Sequence, residues 1–142
     1  MNALNTPLLI AAALDGIAAM AHLGCIVFGA PWYRFFGAGE RMARMADRGD
    51  WRAAAVTAGI ALMLATWAAY ALSGAEVLPP LPLLRPALIA ITLVLLLRAA
   101  VGVWLAASGR VAQRAFWWWS SAICLGYGVA HGLGLLQRWP LP

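Results

Sequence analysis

Apolar residues run almost unbroken through four stretches, about Leu8–Ala30, Ala53–Ala75, Ala87–Ala107 and Phe116–Gln137, and segments rich in arginine or proline separate them. Each stretch has the roughly 20 residues that a helix needs to cross a bilayer. Hydrocarbon offers no partner for free backbone groups, so only helices or closed barrels can span it. The alanine- and leucine-rich runs lack the period-two alternation of barrel strands. The pattern therefore predicts an all-α integral membrane protein: one membrane domain over residues 1–142, built as a four-transmembrane-helix up-down bundle. Thr6 followed by Pro7 supplies a cap and a first-turn residue for the first span. The segment before it lacks a Lys/Arg-rich start, and the apolar run carries Asp15 and continues to Ala30, which predicts a retained span instead of a cleaved signal peptide.

Charge orients the bundle. The segment 31–52 carries Arg34, Arg41, Arg44, Arg48 and Arg52 against Glu40, Asp47 and Asp50, and the connection between the third and fourth spans carries Arg110 and Arg114. The opposite side has only Arg85 and Arg138, with Glu76. By the positive-inside rule both arginine-rich loops of this multi-pass protein are cytoplasmic and both termini are outside. Trp32, Trp51, Trp104 and Trp117 to Trp119 then fall at the cytoplasmic interface, and Trp67, Tyr70 and Trp139 toward the outer one, as an aromatic belt.

Within the cytoplasmic loop, Glu40 to Asp47 can form two amphipathic turns, with Met42 and Met45 on one face and Glu40 spaced i,i+4 from Arg44. Such a helix can lie on the membrane with its arginines against anionic headgroups and Trp32, Tyr33, Phe35 and Phe36 anchoring the entry. The stretch from Leu78 to Pro86 is proline-rich and reads as an extended connector.

Composition agrees with this picture: 64% of the residues are apolar and 11% charged, against roughly half and a quarter in ordinary soluble domains. The net charge of +5 and pI near 10.3 do not indicate a nucleic-acid partner, because there is no lysine and the ten arginines are not gathered into one basic face. Cys25 and Cys124 sit inside apolar runs and read as small buried hydrophobes, not as a disulfide or a CxxC pair.

Four ionisable side chains fall within the spans: Asp15 and His22 in the first, Arg98 in the third and His131 in the fourth. Such groups are expensive in lipid and face a bundle interior or a wet cavity. Asp15 and His22, seven apart, share a helix face; Cys124, Tyr127, Gly128 and His131 make a second stripe. Counting residues at about 1.5 Å each places Asp15 level with His131, and His22 level with Arg98 roughly 10 Å further in. The candidate ligand-binding residues are Asp15, His22, Arg98, Tyr127 and His131. The two histidines, about 11 Å apart in depth by the same count, are poorly placed as axial ligands of one haem. No metal motif or activated nucleophile is visible. Gly126, Ala130 and Gly134 form a small-xxx-small ladder suited to helix contact, including contact with a second copy.

Two resemblances add to this. The stretch from His22 through Gly24-Cys25-Ile26-Val27-Phe28-Gly29-Ala30-Pro31-Trp32-Tyr33-Arg34 to Ala43 resembles small bacterial inner-membrane proteins with four predicted spans and no assigned activity. That resemblance implies architecture and brings no catalytic residue. The mid-helix carboxylate Asp15, with Trp67 and Tyr70 on the second span, is similar to the small multidrug-resistance exporters, which implies proton-coupled exchange at Asp15; the loop-arginine asymmetry and Arg98, His22 and His131 depart from that pattern. The charges fit best a bundle that binds an apolar small molecule or lipid by a polar or anionic head, Arg98 holding the head and the histidines relaying protons. The alternatives are a proton-coupled transporter and a structural accessory subunit of a membrane complex.

Overall fold

The computed structural model describes residues 4–111 and 113–139. Six helices account for about four-fifths of them: α1 (Thr6–Phe28), α2 (Ala30–Phe35), α3 (Glu40–Asp47), α4 (Trp51–Gly74), α5 (Leu84–Ser108) and α6 (Arg114–Arg138). The four long helices coincide with the four apolar stretches. Three of them, α1, α4 and α5, are long and apolar enough to cross a membrane, with mean hydropathies of 1.8, 1.7 and 2.4. The expectation of four such helices is corrected here. Helix α6 has the length, 25 residues, but Trp117 to Trp119, Ser120, Ser121, four glycines and His131 dilute its hydropathy. The chain ends, whose side of the membrane the arginine pattern assigns, lie outside the described residues.

The long helices are apolar on the outside and carry polar groups inside. Ile17, Met20, Leu62, Leu93, Leu97 and Leu133 are each more than half exposed, whereas Asp15, Thr57, Thr92, Ser121 and His131 are buried. That inversion suits a chain solvated by hydrocarbon, where apolar exposure is free and polar exposure is not.

The chain divides into two units, with boundaries inside α1 and α4. The first contains the start of α1, the end of α4, and α5 and α6, which pack against each other. Its core centres on Leu8, Ala71, Leu88, Ile91, Leu95 and Ala130. Leu8 is fully buried because two glycines make room for it: a Cβ on Gly74 would lie 2.7 Å from Leu8 Cδ1, and one on Gly134 would meet Leu8 Cγ. The cap of α1 is Asn5, one residue before the expected Thr6; its Oδ1 accepts the Leu8 N–H at 3.1 Å while its Nδ2 donates to the Gly134 carbonyl at 2.8 Å. Ala130 and Gly134 of the small-residue ladder are thus occupied within the chain, and Gly126 faces open space.

The proline-rich connector is held by α4. Ser73 Oγ donates to the Pro79 carbonyl and accepts from the Leu81 N–H, and Tyr70 donates to the Pro82 carbonyl. Helix α4 ends with Glu76 in the left-handed region at φ 64°, its N–H on the Ser73 carbonyl and the Val77 N–H on that of Leu72. This is the paired closure usually built around glycine.

The second unit comprises the end of α1, the α2–α3 pair and the start of α4. Residues 31–52 are more ordered than a single amphipathic turn pair: α2 forms as well as the expected α3. Gly29 makes the corner between α1 and α2 at φ 70°, ψ −149°, a conformation essentially reserved for glycine. Cys25, Ala30, Tyr33, Ala43 and Ala53 form a small core with Trp32, Met42, Met45 and Ala46 packed on it. The Tyr33 hydroxyl shares a 2.9 Å hydrogen bond with Thr57 Oγ1.

Candidate functional site

The five residues singled out from the sequence fall in both units. Asp15 is fully buried on α1. His22, on the same face, is partly buried, and its Nδ1 lies 2.7 Å from the Ala18 carbonyl of its own helix. A carbonyl only accepts, so Nδ1 carries the proton. His131 is fully buried on α6, one turn beyond Tyr127, whose hydroxyl donates to the Leu14 carbonyl at 2.9 Å.

Arg98 is the most informative of the five. It sits on α5 ten residues before the end at Ser108, about 15 Å along the axis. Its guanidinium bends toward that end, one turn on, where Nη1 lies 2.6 Å from the position a Cβ would take on Gly102. There Cζ stacks over the Trp117 ring at 4.6 Å from the centroid, and Nη2 donates to Ser120 Oγ at 3.1 Å. Ser121, fully buried, points its Oγ at the same Gly102 surface. Gly102 is required here by the close approach: any side chain would collide with Ser121. Both Arg98 Nη1 and Ser121 Oγ are buried with no hydrogen-bond partner among the described residues.

Electrostatics sharpen the point. The first unit holds Arg85, Arg98, Arg110, Arg114 and Arg138 against one acid, Glu76, a formal charge of +5 − 1 = +4. Glu76 is taken by Arg138 at 3.0 Å. No aspartate or glutamate occurs after residue 76. Arg114 donates to the Ala106 carbonyl and Arg110 lies over Trp104, so the α5–α6 connection adds two cations and no carboxylate to the unit that holds Arg98. In place of a carboxylate, Arg98 has a ring face, which stabilises a cation by about 0.5 to 2 kcal/mol.

Ser120, Ser121 and Gly102 escaped the sequence reading. Their signal was present: Trp117 and Ser121 are i,i+4, Ser121 lies seven residues before Gly128 on the Cys124 stripe, and Gly102 is i+4 from Arg98. Hydroxyls inside an aromatic-rich run read as ordinary helix surface until a neighbouring helix covers them. Elsewhere in this unit an open groove of about 280 Å³ is lined by Arg85, Ile89, Gly132, Leu135, Leu136 and Trp139, and contains none of the five residues. Among the described residues no three His, Cys, Asp or Glu side chains gather as a metal site would require. No protein family, no curated protein and no solved structure matches the chain.

Proposed function

We propose that the protein is a four-span membrane bundle that binds an apolar small molecule or lipid by its polar or anionic head at Arg98. In this reading α6 crosses the bilayer as well, its polar face covered by α5, with both termini outside and the arginine-rich loops on the cytoplasmic side of a bacterial inner membrane. The observation that carries it is the pair of buried donors, Arg98 Nη1 and Ser121 Oγ, left without acceptors in a unit whose one carboxylate is engaged elsewhere. Arginine at the centre of a span costs about 2.5 to 3.5 kcal/mol on insertion scales. An anionic head supplies the missing acceptor through charge-assisted hydrogen bonds. Arg98 as a whole is partly exposed although Nη1 is buried, so a head arriving from the lipid side meets the guanidinium and gains Nη1 as the flexible side chain turns outward. The exposed Val94, Leu97 and Val101 on the same helix offer a surface for an apolar body.

Native mass spectrometry of the detergent-extracted protein tests this. Wild type retains an amphiphile bearing phosphate or carboxylate, and Arg98→Leu loses it while the delipidated variant is as stable as wild type or more so. Retention of the same molecule by Arg98→Leu refutes the reading.

A further inference from the structure

We propose that Arg41, Arg44 and Arg48 of α3, with Arg52 at the start of α4, form a docking surface for anionic phospholipid headgroups, separate from Arg98 and independent of the reading above. The first support is how the segment spends its own acids. Arg34 takes both oxygens of Glu40, each at 3.2 Å, and Asp47 Oδ2 at 2.8 Å. Asp50 Oδ1 accepts the Arg52 N–H at 3.0 Å and caps α4. All three carboxylates between residues 31 and 52 are therefore engaged with Arg34 or with backbone, and Glu40 is paired with Arg34 in place of the expected Arg44. The other four arginines of the segment are exposed and have no carboxylate within ion-pair distance among the described residues.

The second support is their phase on the helix. Arg41, Arg44 and Arg48 are spaced i, i+3 and i+7, which at 3.6 residues per turn gathers them within about 60° of arc. Ala43 is fully buried on the opposite side, and Met42, Met45 and Ala46 pack on the same small core. The amphipathic helix thus has its apolar face already covered by its own unit, and the row that remains is purely cationic. It extends about 10 Å along the axis.

The third support is what flanks the row. Phe35 and Trp51 are 82% and 72% exposed, and Phe36 is 43% exposed; Trp51 opens the membrane-length helix α4, and the two phenylalanines stand at the end of α2. Rings left open beside arginines are the arrangement of an interfacial anchor. The α2–α3 pair is joined to α1 and α4 by connections of one to three residues, so lipid heads are the anionic groups nearest to hand.

The experiment is lipid titration of the full-length protein by native mass spectrometry, comparing phosphatidylglycerol with phosphatidylcholine. Each arginine near an anionic surface contributes roughly fivefold. Arg41→Gln, Arg44→Gln and Arg48→Gln together are expected to lower phosphatidylglycerol affinity on the order of 100-fold and leave phosphatidylcholine unchanged. The matching triple lysine variant keeps most of the preference, and added salt weakens it. Made in an Arg98→Leu background, the triple glutamine change still lowers phosphatidylglycerol affinity to the same degree, which separates this surface from the intramembrane site. The proposal is overturned if the triple glutamine variant binds phosphatidylglycerol as wild type does, or if the triple change has no effect once Arg98 is leucine. It is equally overturned if the triple variant keeps its lipid preference but loses binding to a polyglutamate peptide, which would assign the row to an acidic protein partner.

Discussion

Substituting Gly102 with alanine tests whether the Arg98 pocket is built by close helix approach. An added Cβ would collide with Ser121 Oγ and lie 2.6 Å from Arg98 Nη1 and 3.3 Å from Ser121 Cβ. The guanidinium is the end of a flexible chain and can move; the Ser121 Cβ is fixed by its helix, and its Oγ escapes only by changing rotamer inside a fully buried site. Overpacking of this kind costs about 1 to 3 kcal/mol, offset by about 1 kcal/mol of helix propensity gained when alanine replaces glycine. Gly102→Ala is therefore expected to destabilise by roughly 0 to 2 kcal/mol in detergent. Ser121→Ala removes a buried hydroxyl that has no partner, relieving a penalty of about 1 to 3 kcal/mol, and should stabilise. The double variant loses the colliding atom, so the effects are not additive: a favourable coupling of at least about 1 kcal/mol is expected. Thermal unfolding of the four proteins in one detergent reads this cycle. Additivity within about 0.5 kcal/mol would refute the close approach of Gly102 and Ser121.

Two further outcomes concern the ends of helices. Arg34 holds the Glu40 carboxyl below its usual range by hydrogen bonding, so in Arg34→Met the Glu40 titration midpoint, read by carbon NMR, rises toward the ordinary carboxylate value. A lowered carboxyl pKa stabilises above the unfolded value and is lost as pH falls through the folded one, so wild type alone loses α2–α3 stability on acidification below that point. At the end of α4, Glu76→Ala forfeits the Arg138 ion pair and keeps the left-handed strain, whereas Glu76→Gly removes the strain. The glycine variant is expected to unfold later than the alanine variant by about 1 kcal/mol, measured by thermal unfolding, and the reverse order would refute the strain argument.

How far the sequence reached can be seen residue by residue. The four long helices and the short Glu40–Asp47 helix were legible because apolar run length and the 3.6-residue period are local properties. So was the burial of Asp15 and His131, since hydrocarbon penalises an outward-facing charge wherever it occurs. Local pattern misled where a count of apolar residues replaced their weights: α6 is long, yet its tryptophans, glycines and serines leave three, not four, helices apolar enough to cross. Helix α2 was invisible because Pro31 and a six-residue span carry little periodic signal; its order comes from burying Tyr33 against Ala53 and Thr57. Partner choice was beyond the sequence altogether. Spacing along one helix paired Glu40 with Arg44, but the α2–α3 turn brings Arg34 to both acids. Depth counting gave Arg98 a level in the membrane, and only the packing of α5 on α6 decided that its guanidinium meets Trp117 and Ser120 over Gly102. Sequence alone determines which segments hydrocarbon will accept, because transfer energies add along the chain; which polar groups meet depends on contacts between residues far apart in it, and those exist only once the helices pack.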